Sequence, residues 1–194
     1  MRKVILGLGM SLDGYIARAD GSIDYLAMDK ESQKLMDEFF QTVDVAIMGR
    51  KTMEGSIKMS GGRYDSGGLE TFVFSRTWKP GARDGFEVVN GSLASLIRRI
   101  RKKKGKHIYL GGGGELARSF LQADLVDEMF IGIGPVLLGE GIPAFPGGFP
   151  QRDFSLRKCT TVSNGGIALI YSRHRTRAKR PSPSRKASRR ASRA

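Results

Sequence analysis

The stretch that most constrains this chain is residues 107–121, His-Ile-Tyr-Leu-Gly-Gly-Gly-Gly-Glu-Leu-Ala-Arg-Ser-Phe-Leu. His107 to Leu110 has the apolar content of a short buried strand, and Leu116, Ala117, Phe120 and Leu121 recur at helical spacing. The pattern predicts a strand, a glycine turn and a helix in immediate succession. A helix that starts at glycines leaves its first backbone N–H groups without partners. Those groups, with the positive end of the helix dipole, suit an anion such as a phosphate. Glycine lacks the Cβ that blocks close approach, and it reaches the φ > 0 angles of a concave loop. A plain flexible turn is the other reading. The run matches neither the G-x-G-x-x-G dinucleotide fingerprint nor the Lys-Ser/Thr of a P-loop.

Around this unit the chain alternates between strand and helix patterns. Strands are predicted over 2–10, 43–48, 71–74, 86–89 and 127–134, and helices over 30–41, after Thr52, and over 92–104. Gly7 and Gly9 lie inside the first strand and permit close approach by another backbone or a ligand. Residues 60–68 and 135–150 are Gly-rich loops. Phe154 to Val162 and Ile167 to Ser172 flank Ser163-Asn164-Gly165-Gly166, a hairpin signal. Alternation followed by a hairpin gives an α/β fold with a mixed, mainly parallel β-sheet, an antiparallel C-terminal hairpin and flanking helices.

At 194 residues the chain has room for one domain of ordinary size. Its net charge of +14 is concentrated at one end, because 10 of its 33 Lys/Arg and none of its 19 Asp/Glu fall from Arg173 onward. The body, 1–172, therefore has the charge balance of an ordinary soluble enzyme. Residues 173–194 offer no large apolar side chain to offset ordering, and the reading there is a disordered basic tail. Such a tail suits non-specific contact with nucleic acid or another polyanion. It has no aromatic residue for base stacking. The single Cys159 excludes an internal disulfide and fits a reducing compartment, and it reads as a small apolar residue in a strand. No metal-ligand cluster is legible, no apolar run reaches membrane-spanning length, and a cytoplasmic location is expected.

Three predicted strands end in similar fashion: Met48-Gly49-Arg50-Lys51-Thr52, Phe74-Ser75-Arg76-Thr77 and Leu110 followed by Gly111, Gly112, Gly113 and Gly114. In a parallel sheet such ends share one edge, where ligands bind. Gly49 admits a ligand backbone, Arg50 and Lys51 bring positive charge, and Thr52 adds a hydroxyl. Ser75 and Arg76 combine a hydroxyl with a guanidinium, a pair suited to a phosphate monoester. Singly, each is equally a helix cap or a solvated charge. Together they point to a nucleotide. Trp78 borders either the adenine of such a ligand or a surface turn.

These segments resemble the dihydrofolate-reductase-like superfamily, in particular the C-terminal reductase domain of the bifunctional deaminase-reductase of riboflavin biosynthesis and its stand-alone bacterial relatives. The resemblance is carried by Met10 to Ala17 (Met-Ser-Leu-Asp-Gly-Tyr-Ile-Ala), Ile47 to Glu54, Val73 to Thr77, Ile108 to Leu116, Asp127 to Met129 and Pro135 to Pro143, in the family's order over about 1–172. It implies a dihydrofolate-reductase-like fold, often a homodimer, that binds NADPH. Gly49, Arg50, Lys51 and Thr52 would contact phosphates, and Ser75 and Arg76 the adenosine 2′-phosphate. Gly111 to Gly114 with Glu115 and Leu116 would wrap the pyrophosphate, and Ala17 would lie near the nicotinamide. The implied reaction resembles that of 5-amino-6-(5-phosphoribosylamino)uracil reductase, on a small-molecule substrate.

Folate reductases place an acid on the first helix. Counting back from Met48-Gly49-Arg50 puts that place at Gln33, which holds no charge and supplies no acidic proton, so dihydrofolate reduction is not expected. The zinc-binding deaminase motif that often accompanies the riboflavin-pathway reductase has no counterpart here. Asp13, in Ser-Leu-Asp-Gly, is the candidate polar contact to the substrate, with an Asx-turn before Gly14 as the alternative. Two readings stand: an NADPH-dependent reductase of a small heterocycle, and a nucleic-acid-associated protein working through its tail.

Overall fold

Apolar runs that lack polar alternation are buried on both faces, as parallel strands between two helical layers must be. The computed structural model describes residues 1–26 and 28–174. Its strands are β1 (Val4–Ser11), β2 (Tyr15–Ala17), β3 (Val43–Gly49), β4 (Glu70–Phe74), β5 (Gly81–Arg83), β6 (Phe86–Val89), β7 (His107–Gly111), β8 (Glu128–Gly134), β9 (Ile142–Pro143), β10 (Phe154–Thr161) and β11 (Ile167–Arg173). The helices are α1 (Lys30–Phe40), α2 (Arg50–Met59), α3 (Leu93–Lys102) and α4 (Gly114–Gln122). Nine strands form one sheet in the order β10-β11-β8-β1-β7-β3-β4-β6-β5, and β2 pairs with β9 separately. The run from β8 to β6 is parallel throughout. The β10–β11 hairpin joins β8 antiparallel, and β5 joins β6 antiparallel. The fold is the mixed, mainly parallel α/β sheet that the sequence pattern predicts.

Helices α3 and α4 cover one face. Ile97, Ile100, Phe120 and Leu121 are buried there against Leu6, Ile47 and Leu110. The other face carries α2, whose Met53 is fully buried on Ala46, Met48 and Val73, and α1, whose Phe39 packs on Ile5 and Val43. Each fully buried aliphatic or aromatic side chain stabilises by about 1.5–3 kcal/mol. At the opposite end of the sheet from the predicted site, the buried Arg2 is paired with Asp44 and donates to the carbonyls of Lys106 (2.8 Å) and Ile100 (3.3 Å). Arg101 pairs with Asp127 at 2.6 Å. The basic end of α3 is therefore partly spent on tying the strand starts together.

The structure adds three short strands, among them the three-residue β2. Gly81–Arg83 is exposed throughout and Ile142–Pro143 is two residues long, so neither has a buried face to leave a periodic signal. Cys159 lies in a strand, β10, but is exposed rather than packed in the core. Arg173, placed at the start of the tail by composition, belongs to β11 and pairs with Asp124 at 2.6 Å. The rest of the expected basic tail, 175–194, lies outside the described residues. Among the described residues no helix is long and apolar enough to cross a membrane.

Candidate functional site

Strands β7, β3 and β4 are parallel neighbours, so the three glycine- or serine-ended segments lie side by side. Met48 is level with Gly111 and Gly49 with Phe74. The loops also touch, because Thr52 abuts Gly112: a Cβ on that glycine would sit 2.8 Å from Thr52 Cγ2. Helix α2 starts at Arg50, directly after Gly49, rather than beyond Thr52. Arg50, Lys51 and Thr52 are therefore its first turn, which contains no acid. Cations there oppose the helix dipole. Only Arg50 is offset locally, by Glu54 at 2.6 Å. Lys51 is exposed.

Helix ends divide into two kinds. The starts of α1 and α3 are capped by Asp29 and Ser92, which accept from the N–H groups of Ser32 and Ser95. The starts of α2 and α4 fall on Gly49 and Gly113, which provide no side-chain cap. α2 and α4 follow the neighbouring strands β3 and β7 directly, while the capped α3, which follows the parallel strand β6, begins further along the same edge. Two adjacent uncapped N-termini, one with cations in its first turn, form a cradle whose chemistry fits a pyrophosphate.

The four glycines divide their work. A Cβ on Gly111 would meet the ring of Tyr109 at 2.6 Å, and one on Gly114 would collide with the carbonyl of Pro143. Gly112 (φ 61°) and Gly113 (φ 81°) need the left-handed region. Internal packing accounts for Gly111 and Gly114, and loop geometry for Gly112 and Gly113. Within the loop, Gly49 has nothing within 4 Å of its absent Cβ and leaves open space. Glu115 pairs with Arg118 on the exposed side of α4, and Leu116 turns into the core.

Ser75 is buried, and its Oγ accepts from the N–H groups of Thr77 (3.2 Å) and Trp78 (2.9 Å), closing the turn after β4. Arg76, next to it, is exposed and faces solvent at this edge. Trp78 stacks on Phe86 with Arg83 over its ring, a satellite cluster beside the edge. Ala17 is buried in β2, paired with Ile142. Asp13 accepts from Ser11 Oγ and from the N–H groups of Leu138 and Gly139. The Ser11 hydrogen bond leads in holding its carboxyl below the usual range. Its carboxylate thus ties the loop after β1 to the loop after β8.

A cavity of about 340 Å³ opens on the α1 face, at the same end of the sheet. Its floor is β1, β8 and β11, and its walls are α1, the loop before it and the hairpin turn. Gly9, Gly132 and Ala168 are in register across the three strands, so the floor there carries nothing larger than a methyl group. Phe39 and Phe130 lie parallel at 4.8 Å on one side. The Tyr109 ring stands edge-on to Phe39, slotted between Gly7 and Gly111. Burial pushes its phenol up to about 12. Gly7 and Gly9 make room for the side chains of Tyr109 and Leu26, which answers what approaches them. On α1 the cavity is faced by Ser32, Leu35, Met36 and Phe39, while the exposed Gln33 bonds Asp37 instead. The polar position of α1 that meets this space is Ser32, one residue from the expected place.

Sequence reasoning reached the strand-end residues and missed the cavity. The missed members include Tyr25, Ser32, Phe130, Gly132 and Asn164. One signal was present, the repeat of Gly-x-Gly at 7–9 and 132–134, which period two places on a single strand face. The hairpin turn joins the site through α1: Asp29 accepts from Ser163 Oγ (2.7 Å) and Asn164 N–H (3.0 Å), and Glu31 from Ser163 N–H (2.7 Å).

Against known proteins, the model of the RibD C-terminal domain matches residues 2–168. The uncharacterized protein YwjB of Bacillus subtilis is 35% identical over 145 residues, 74% of this chain and 83% of that protein. The crystal structure of a putative riboflavin biosynthesis protein from Shewanella sp. PV-4 superposes with a TM-score of 0.74 at 31% identity, over 89% of this chain and 99% of that one. Dihydrofolate reductase from Enterococcus faecalis, complexed with NADP(H), shares the fold: TM-score 0.65, 17% identity, 89% of this chain and 97% of that one.

Proposed function

The chain belongs to the RibD C-terminal domain family, and from that membership we propose that it is an NADPH-dependent reductase of a small heterocyclic molecule. The carrying observation is the edge where α2 and α4 begin side by side on uncapped glycines, with Arg50 and Lys51 in the first turn of α2. Two like-signed dipole ends and two cations at adjacent strand ends are unfavourable alone and are balanced by a diphosphate. Gly49 to Thr52 and Gly111 to Glu115 would hold that group through backbone N–H donors and Thr52 Oγ1. Ser75 and Arg76, next along the edge, would take the adenosine 2′-phosphate and so favour NADPH over NADH. When bound, NADPH supplies the hydride.

The chain's own residues do the rest. The cavity beside the edge orients the second reactant and keeps water out with Leu35, Met36, Phe39 and Phe130. Tyr109 keeps its proton on Oη throughout the neutral range, since its phenol is held near 12. It therefore presents a hydrogen-bond donor where β7 separates the edge from the cavity. Asp13 keeps the loops after β1 and β8 together at the rim.

Titration of the full chain with NADPH and with NADH at fixed moderate salt, followed by nicotinamide fluorescence, tests the reading. NADPH is expected to bind more tightly, and Arg76→Ala to erase most of the difference. Failure of both nucleotides to bind would overturn the reductase reading.

A further inference from the structure

A phosphate monoester needs cations or a cluster of N–H donors. The described lining of the cavity offers no cation. Among the described residues that line it there is no Lys, Arg or His, and no Asp or Glu either. The start of α1 carries charges of both signs, Asp29 and Glu31 with Lys30 between them. Asp29 and Glu31 hold the hairpin turn at the wall, and Asp29 stays ionised because Ser32 above all, then Ser163, donates to it. A dianion placed here would lose its water with no lining cation to offset the cost.

The floor says what fits instead. Gly132 sits mid-strand in β8 with ordinary extended geometry, for it is absent from the positive-φ glycines. A Cβ built on it would come no nearer than 3.9 Å to any other atom, so nothing inside the chain requires glycine there. Glycine weakens a strand interior. Its level neighbour Ala168 extends the bare strip onto β11, while on the other side the side chain of Leu26 lies over Gly9. The strip is flat, and the parallel rings of Phe39 and Phe130 stand beside it. Polar groups are few: the hydroxyls of Ser32, Tyr25 and Tyr109 and the turn at Asn164. Tyr25 already donates to the carbonyl of Tyr15 at 2.7 Å.

We infer that the cavity selects a flat, uncharged, largely apolar ring compound without a phosphate group, lying on the Gly132–Ala168 strip beside Leu26. Naming that compound the substrate rests on the reductase reading. The selectivity of the cavity does not.

The test is calorimetric titration of the full chain at mildly acidic pH with two probes, 4-methylumbelliferone, a neutral bicyclic ring, and 4-methylumbelliferyl phosphate, the same ring as a phosphate monoester. NADPH affinity is measured on every sample. The neutral ring is expected to bind at least about tenfold more tightly than its ester, a difference of about 1.4 kcal/mol. Gly132→Val should abolish ring binding, and Gly132→Ala, which adds one methyl to empty space and preserves the fold, should weaken it several-fold. NADPH affinity should hold within about twofold in both variants. Equal or tighter binding of the ester, binding of neither probe, or unchanged ring binding in the two variants would each overturn the inference. Ring binding without NADPH binding would leave it standing and overturn the reductase reading.

Discussion

Gly112 and Thr52 meet where the loop after β7 closes on the first turn of α2, and a single methyl group decides whether they can. Gly112→Ala would place Cβ against Thr52 at a φ of 61°, where a non-glycine residue costs roughly 1–2 kcal/mol. The expected result is a fall in NADPH affinity on the order of tenfold, read by fluorescence titration, with smaller loss of stability. Tyr109 makes a different kind of prediction. Its folded pKa, about 12, lies above the ordinary 10.0, so folding prefers the protonated phenol. The associated stability is present below pH ~10 and is lost as pH rises toward 12, about 2–3 kcal/mol for a shift of this size. Urea unfolding of wild type and Tyr109→Phe between pH 9 and 12 should show the wild type losing more. Parallel alkaline limbs would count against a buried, protonated Tyr109.

At the scale of elements, α1 and the β10–β11 hairpin are joined by Asp29, which caps one and holds the turn of the other. Its carboxyl is held well below the usual carboxylate range, so its contribution is present above the unfolded pKa of about 4 and is lost as pH falls below it. Asp29→Asn should flatten the acid limb of the stability profile and raise protease sensitivity at 163–166. An unchanged acid limb would remove Asp29 from the account. Elements were also the most legible part of this molecule. Strands such as 43–48 and 107–110 are short, apolar and closed by glycine or a helix start, and 30–41 reads with Leu35, Met36, Phe39 and Phe40 on one face, of which Phe40 is exposed. The start of α2 was misplaced because Arg50 and Lys51 look like loop charges and are unfavourable in a first turn without an anion. The edge site was legible because each part of it is a local strand end. The cavity was not, because its floor joins Gly9, Gly132 and Ala168, residues that only the sheet order brings together.

Across the whole molecule, charge and fold are separable. Removing 175–194, which takes out nine of the cations, should leave NADPH affinity unchanged while abolishing low-salt retention on DNA–cellulose. Retention that survives the deletion would rule out the tail as the polyanion contact. The sheet order β10-β11-β8-β1-β7-β3-β4-β6-β5 carries a further consequence. The proposed nucleotide edge uses strands from β7 onward, and the cavity floor uses those from β1 outward, with Tyr109 at the seam. Lineages descending from such a chain can therefore retune one half by substitution and inherit the other intact. Under the proposed reductase reading, new chemistry for this scaffold is a matter of repainting three strands and a helix, while the reducing power would arrive unchanged from the other side.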